Sequence, residues 1–363
     1  MKDKSCNEYK RISLFLPDLR IGGAEKVFVN LANFFISRGI DVDVVVMNDK
    51  GVLKGDLDKN ITYIHLLKES TNNPLMLLLG SSVSLMHYLR KNPPDMLIST
   101  IFGANLVATV VKSCFRLSTP IVIREASSFD NYGFVKKILM RIFYPKATSI
   151  IAVSRLGAQE LQMKLSGASS KILTISNGVD MDAIGMLAKE KVNEVGEYGA
   201  YIVAVGRLVD AKAFDILITA FKSVSVINPE LKLVILGDGP LRGELEALIS
   251  QLGLVDKVLL PGFKRNPYPY MKRAELFVLS SRWEGFPNAL VEAICLGIKV
   301  VATDCNYGPS EIFSDEMRSK LVQVGDANAL SERICDVLIN DYYSVSNECH
   351  KNSEVFEKYL NII

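Results

Sequence analysis

Tyr201-Ile202-Val203-Ala204-Val205-Gly206-Arg207-Leu208 is a run of apolar, partly β-branched residues that passes without alternation into a glycine and a cation. An unbroken apolar run of this length, bounded by turn residues, fits a strand buried on both faces, as in a parallel sheet covered by helices. Working outward, 232–236, 258–260, 276–279 and 300–302 repeat the pattern, separated by segments of helical period. The first half carries the same theme at 11–16, 42–47, 96–100, 121–124, 149–153 and 172–175. Strands alternating with helices at this spacing are βαβ units, so the chain reads as α/β with two doubly wound parallel sheets. Open sheets of this kind bind ligands outside the carboxyl ends of their strands. The expectation is two Rossmann-like domains facing a central cleft.

A chain of 363 residues is too long for one ordinary core. The first domain is placed at 1–182 and the second at 199–345. Between them, 183–198 carries Lys189, Glu190, Lys191, Glu194 and Glu197 with no strong apolar period, and reads as a linker. In the tail, 346–363, Val355, Phe356, Tyr359 and Leu360 stand at helical spacing, which predicts a helix crossing back to the first domain.

Several function classes fall away on composition. No apolar run approaches the roughly 20 residues of a membrane-spanning helix. Nothing near the start reads as a secretory segment, and the six cysteines contain no C-x-x-C pair. The chain is therefore expected to be cytoplasmic and reduced. Residues 1–197 hold 25 Lys and Arg against 19 Asp and Glu, so the first half is the basic one. That excess is too scattered for nucleic-acid binding, which calls for a concentrated basic stripe with stacking aromatics. His65, His87 and His350 are too dispersed for a metal cluster. Asp41-Val42-Asp43 enters a strand instead of leaving one and reads as strand-edge solvation, as do Asp56-Leu57-Asp58 and Asp180-Met181-Asp182. No metal site is predicted.

The chemistry-bearing residues follow the second-half strands. Arg207 and Lys212 put two cations in one loop, a pair able to neutralise a diphosphate; either alone is an ordinary solvated side chain. Gly237-Asp238-Gly239-Pro240-Leu241 and Gly243 only superficially match a dinucleotide fingerprint, because the third glycine is one residue late and no acid follows the next strand. A tight strand-to-helix turn is the plainer reading. The strongest local signal is Ser280-Ser281-Arg282-Trp283-Glu284-Gly285-Phe286-Pro287-Asn288-Ala289-Leu290-Val291-Glu292-Ala293. Pro287 suits a first helical turn, leaving the amides of Asn288, Ala289 and Leu290 free for an anion. Glu284 and Glu292, eight apart, suit hydroxyl groups beyond the phosphates. Near the start, Gly22 and Gly23 open a helix and let backbone amides approach a ligand oxygen.

Together these motifs resemble glycosyltransferase family 4, across nearly the whole chain. Gly22-Gly23-Ala24-Glu25, Asn177-Gly178-Val179-Asp180, Gly206-Arg207-Leu208 with Lys212, Gly237 to Leu241, Pro261-Gly262-Phe263 and the E-x7-E pair occur in the family order. Asp304-Cys305-Asn306-Tyr307-Gly308-Pro309-Ser310-Glu311-Ile312 looks like a segment of members that build bacterial O-antigen, capsule or lipid-linked glycans.

The resemblance implies the GT-B fold and metal-independent transfer, with retention, of a hexose or N-acetylhexosamine. The donor would be a nucleotide-diphosphate sugar, with uridine diphosphate the preferred carrier, and the acceptor a glycan or lipid-linked glycan. Arg207 and Lys212 would bind the diphosphate, Glu292 the ribose and Glu284 the transferred sugar. Gly22, Gly23, Phe263, Lys264, Phe286 and the backbone of Asn288, Ala289 and Leu290 would complete the donor site.

Two positions depart from the family pattern. Ala213 stands where a glycine is common, and Arg124-Glu125-Ala126-Ser127 where a histidine is common, leaving Glu125 or Ser127 to do its work. These departures support the competing reading, a catalytically weakened nucleotide-sugar-binding or scaffold subunit. A possible membrane contact is 134–144, where Lys136, Lys137 and Arg141 alternate with Phe134, Ile138, Leu139, Ile142 and Phe143 at helical spacing. That pattern suits a helix lying on an anionic leaflet, or one packed on its own domain.

Overall fold

The structure, a computed structural model, describes residues 10–20, 22–67, 73–115, 117–340 and 352–362. It divides into two units, Met1–Asn177 with Ser353–Ile363, and Gly178–Asn352. The first contains β1 (Arg11–Leu16), α1 (Gly23–Ser37), β2 (Asp41–Val46), β3 (Thr62–His65), α2 (Pro74–Lys91), β4 (Met96–Thr100), α3 (Phe102–Phe115), β5 (Ile121–Glu125), α4 (Phe134–Phe143), β6 (Ser149–Ala152), α5 (Arg155–Lys164) and β7 (Ile172–Thr174). Its strands form one parallel sheet in the order β3-β2-β1-β4-β5-β6-β7.

The second unit contains α6 (Met181–Leu187), α7 (Asn193–Glu197), β8 (Tyr201–Val205), α8 (Phe214–Ile227), β9 (Lys232–Leu236), α9 (Arg242–Gln251), β10 (Val258–Gly262) and α10 (Tyr268–Lys272). It continues with β11 (Leu276–Leu279), α11 (Asn288–Cys295), β12 (Val300–Ala302), α12 (Pro309–Ile312), α13 (Asp315–Arg318) and α14 (Ala327–Ile339). Its parallel sheet runs β10-β9-β8-β11-β12.

Each sheet is buried on both sides, which is why its strands are unbroken apolar runs. In β1, Leu14 joins one core with α1 and Phe15 joins the opposite core with α2 and α3. In β8, Val203 packs with α10 and α11 while Ile202 and Ala204 pack with α8 and α14. Strand order reverses between β1 and β4 in the first unit and between β8 and β11 in the second, so the loops leaving those strands frame the ligand-binding edges.

The last helix, α15 (Asn352–Leu360), buries Val355, Phe356 and Tyr359 in the first unit's core beside Ile12, Leu14, Leu31 and Phe35. Phe356 meets the Phe34 ring at 5.5 Å, and Glu357 pairs with Arg38. Each such aliphatic or aromatic burial is worth about 1.5–3 kcal/mol. The tail residues 346–351 lie outside the described residues.

Four readings need correction. The stretch 183–198 is not a free linker: Ile184 of α6, Val195 of α7 and Tyr198 just after α7 are buried in the second unit, whose boundary falls at Gly178. Each helix is under eight residues and points only one or two apolar groups inward, too few to show a period. Strand β3 was not expected; it is a four-residue edge strand, half exposed, and lacks the continuous apolar run of the inner strands. Asp43 is not solvated: it is buried, accepting from Arg11 Nε at 3.0 Å and from the Tyr88 hydroxyl. Cys295 is disulfide-bonded, while Cys114, Cys305 and Cys335 are free thiols. A C-x-x-C spacing reports only cysteines close in sequence, and Cys295 belongs to no such pair.

Candidate active site

The site grows from the loop after β8. Gly206 donates its N–H to Leu236 O at 3.0 Å and Leu208 to Asp238 O at 3.0 Å, so this loop rests on the one after β9. Backbones approach here too closely for side chains: a Cβ on Gly237, at φ +149°, would stand 1.9 Å from Gly206 O, and one on Gly239 would stand 2.4 Å from Leu208 O. Two of the three glycines that superficially match a dinucleotide fingerprint, Gly237 and Gly239, thus serve loop-on-loop packing, while a Cβ on Gly243 would meet nothing within 4 Å. Gly206 itself lies under the Lys212 stem, whose carbons would be 3.1–3.3 Å from a Cβ there.

After Arg207, a short 3-10 turn at Asp210–Lys212 carries the lysine, and Ala213 follows in the left-handed region at φ 48°, fully buried. A non-glycine residue in that region costs about 1–2 kcal/mol. The departure noticed in sequence is therefore a strained position.

Lys212 Nζ meets Glu284 Oε1 at 2.6 Å, and the Ser281 hydroxyl donates to the same oxygen at 2.6 Å. The Glu284 side chain is only 9% exposed, so the ammonium balances a nearly buried carboxylate. Behind them, burial and the charge of Glu284 push the Cys305 thiol up to about 12. Arg207 is exposed, and its side chain makes no hydrogen bond or ion pair among the described residues. Glu292, on α11, accepts from the Tyr268 hydroxyl at 3.1 Å.

The amides at the start of α11 are less available than expected. Pro287 caps the helix, with Asn288 N–H donating to Phe286 O at 2.9 Å and Leu290 N–H to Pro287 O at 3.0 Å. Ala289 N–H alone of the three has no partner among the described residues. The segment singled out at 304–312 packs against this turn: Asn306 bridges Trp283, and a Cβ on Gly308 would stand 2.8 Å from the Pro287 ring.

Phe263, just after β10, is 44% exposed, and Phe286 is half-buried. Lys264 is engaged elsewhere, pairing with Glu194 Oε2 at 2.8 Å and so tying α7 to the loop after β10. Gly22 and Gly23 open α1 in the first unit; Gly22 is extended, and a Cβ on it would meet the Glu25 carboxylate at 2.1 Å. Among the described residues, no group of three or more His, Cys, Asp and Glu could hold a metal.

Glu125, at the end of β5, is fully committed. It accepts from Tyr144 Oη at 2.8 Å, Tyr132 Oη at 2.9 Å and Ser127 N–H at 3.1 Å, and burial pushes its carboxyl upward against those bonds. Ser127 is exposed. Ser281 and Tyr268, the partners of Glu284 and Glu292, are not among the residues the sequence singles out as partners. The S-x-x-E spacing from Ser281 to Glu284 was a usable signal; nothing local pointed to Tyr268.

Residues 21–183 match the model described as Glycosyltransferase Family 4, and 188–356 the one described as Glycosyl transferases group 1. The chain is 31% identical, over 96% of its length and 96% of the relative's, to a Campylobacter jejuni protein. That relative is named N-acetylgalactosamine-N,N'-diacetylbacillosaminyl-diphospho-undecaprenol 4-alpha-N-acetylgalactosaminyltransferase. The chain belongs to glycosyltransferase family 4. This glycosyltransferase is also 25% identical to the lipopolysaccharide core biosynthesis glycosyltransferase LpsE of Rhizobium meliloti, over 88% of its own length and 86% of LpsE. Its two sheets are those of the GT-B fold. Anabaena HepE, solved with UDP-glucose, superposes with a TM-score of 0.74 at 20% identity, covering 96% of this glycosyltransferase and 94% of HepE.

Proposed function

We propose that this glycosyltransferase moves a hexose or N-acetylhexosamine, with retention and without a divalent metal, from a UDP-sugar to a lipid-linked or lipopolysaccharide-type glycan acceptor of the bacterial surface. The observation that carries the reading is the Lys212–Glu284 pair at 2.6 Å, beside the exposed Arg207 and at the strand-order reversal of the second sheet. Negative charge grows on the leaving diphosphate as the anomeric bond breaks. Arg207, Lys212 and the Ala289 N–H supply the opposing charge and dipole that a metal ion would otherwise bring. Glu292 takes the ribose hydroxyls, and Glu284 reaches past the phosphates to the sugar. The UDP-glucose bound by HepE and the undecaprenol-linked acceptor in the Campylobacter relative's name support this choice of partners.

The test is Glu292→Ala. Two hydroxyls lose a charged acceptor, so UDP binding weakens by about 1.5–3 kcal/mol, read by thermal shift or calorimetry. Unchanged UDP affinity would remove Glu292 from the ribose, and loss of transfer in EDTA restored by magnesium would refute the metal-free route.

The acceptor side of the proposal brings the first unit to the inner face of the cell membrane. Only Met140 of α4 is buried, whereas Phe134 and Val135 are 78% and 68% exposed, on a helix bearing Lys136, Lys137 and Arg141 and no acid. Each cation near anionic lipid adds about 1 kcal/mol. The chain is expected to co-sediment with phosphatidylglycerol vesicles, less so in high salt or with these three cations changed to serine. Indifference to lipid charge would reject the contact. No helix among the described residues is long and apolar enough to cross a membrane.

A further inference from the structure

Arg282 lies between Ser281 and Glu284 in sequence but faces the neighbouring loop. β11 and β8 pair side by side, which sets 280–282 against the turn Asp210–Lys212. Three successive carbonyls of that turn are held from this one segment. Arg282 Nη1 donates to Asp210 O at 2.9 Å, Arg282 N–H to Ala211 O at 2.8 Å, and the Ser280 hydroxyl to Lys212 O at 2.8 Å. The guanidinium then forks onto Asp215 in the first turn of α8, with Nη1 to Oδ1 at 3.0 Å and Nη2 to Oδ2 at 2.7 Å. Asp210 Oδ1 lies 3.2 Å from Nη1. Asp210, the first residue of the turn, and Asp215, beyond it, are thereby fixed to one planar group, with the left-handed Ala213 between them.

An ion pair this exposed, 26% on Arg282 and 45% on Asp215, contributes little to stability as a pair. Its effect is geometric, because a bidentate fork fixes direction as well as distance. A turn with a residue in the left-handed region does not hold that shape by local preference. Lys212 projects from this turn, and its ammonium must stand within hydrogen-bond reach of both Glu284 and a ligand oxygen.

We propose that Arg282 is a positioning residue which, with Asp215 as its partner, fixes the Lys212 turn for the diphosphate of the donor. The proposal rests on reading Lys212 as the diphosphate cation, and it deepens that reading by naming what sets the lysine in place. The consequence is selective: loosening the clamp weakens recognition of the diphosphate and leaves recognition of the nucleoside unchanged.

The experiment compares wild type, Arg282→Gln, Asp215→Asn and the double variant by calorimetry, with UDP and GDP as diphosphate probes and uridine and guanosine as nucleoside controls. For the diphosphate that binds wild type, Arg282→Gln is expected to weaken binding about tenfold with nucleoside affinity unchanged. Asp215→Asn is expected to do the same to a smaller degree, and the double variant to match Arg282→Gln alone, because the two side chains act as one unit. Equal loss for diphosphate and nucleoside, additive losses in the double variant, or undiminished diphosphate binding would each overturn the clamp. Asp215→Asn keeps the test open if Arg282→Gln does not fold. Failure of wild type to bind either diphosphate would overturn the donor-site reading itself, an outcome distinct from a wild type that binds and variants that bind equally well.

Discussion

Replacing Gly237 with alanine is expected to destabilise the second unit by on the order of 3 kcal/mol or more and to abolish nucleotide binding. The added Cβ would lie 1.9 Å from Gly206 O and 2.9 Å from Gly206 C, both backbone atoms, at a φ of +149° that a side chain rarely adopts. Gly206 cannot retreat without losing its bond to Leu236 O, and moving it shifts the floor under Lys212. Gly253, also at positive φ but with nothing within 4 Å of a Cβ, is the matched control; alanine there bears only the conformational term, about 1 kcal/mol. Urea unfolding of the two variants separates the terms. A Gly237→Ala protein no weaker than Gly253→Ala would show that the two loops yield freely.

The largest catalytic effect is expected from the Lys212–Glu284 pair. Lys212→Met removes the cation opposing the leaving diphosphate and leaves a carboxylate only 9% exposed with the Ser281 hydroxyl as its remaining donor in this group. Loss of one such stabilising group typically lowers kcat by about 10²–10³. Glu284→Ala is expected to depress transfer more than nucleotide affinity, since its place is on the sugar. Initial rates with a nucleotide sugar, alongside UDP affinity, measure both. A fall under tenfold for Lys212→Met would displace it from the reaction centre, and equal losses of transfer and affinity in Glu284→Ala would show that the roles of Glu284 and Glu292 are exchanged.

What was legible in the sequence was whatever a strand buried on both faces writes into a short window. Tyr201–Val205 and Lys232–Leu236 stand where their unbroken apolar runs put them, with the glycine and cation loops at their carboxyl ends. The edge strand Thr62–His65 was hidden because an edge strand meets solvent and is not required to be apolar throughout. Asp43 looked like a solvated acid because its partners, Arg11 and Tyr88, are 32 and 45 residues away in sequence. The availability of amides at Asn288 and Leu290 depended on the backbone angles at Pro287, which residue type alone does not set. Arg282 stands in the quoted 280–293 segment with no role legible there, because its role depends on two loops meeting across neighbouring strands.

The return of α15 to the first unit has a bearing on how the chain is made. Synthesis proceeds from the N-terminus, so all of Gly178–Asn352 is translated before Val355, Phe356 and Tyr359 exist. Until then the core formed by α1, β1 and β2 lacks one wall, and Ile12, Leu14 and Phe35 have no cover from that side. A nascent domain with an open apolar face is a target for chaperones and for self-association. The second unit's two cores draw only on residues of its own span, whereas the first unit's core is closed only once α15 has been made.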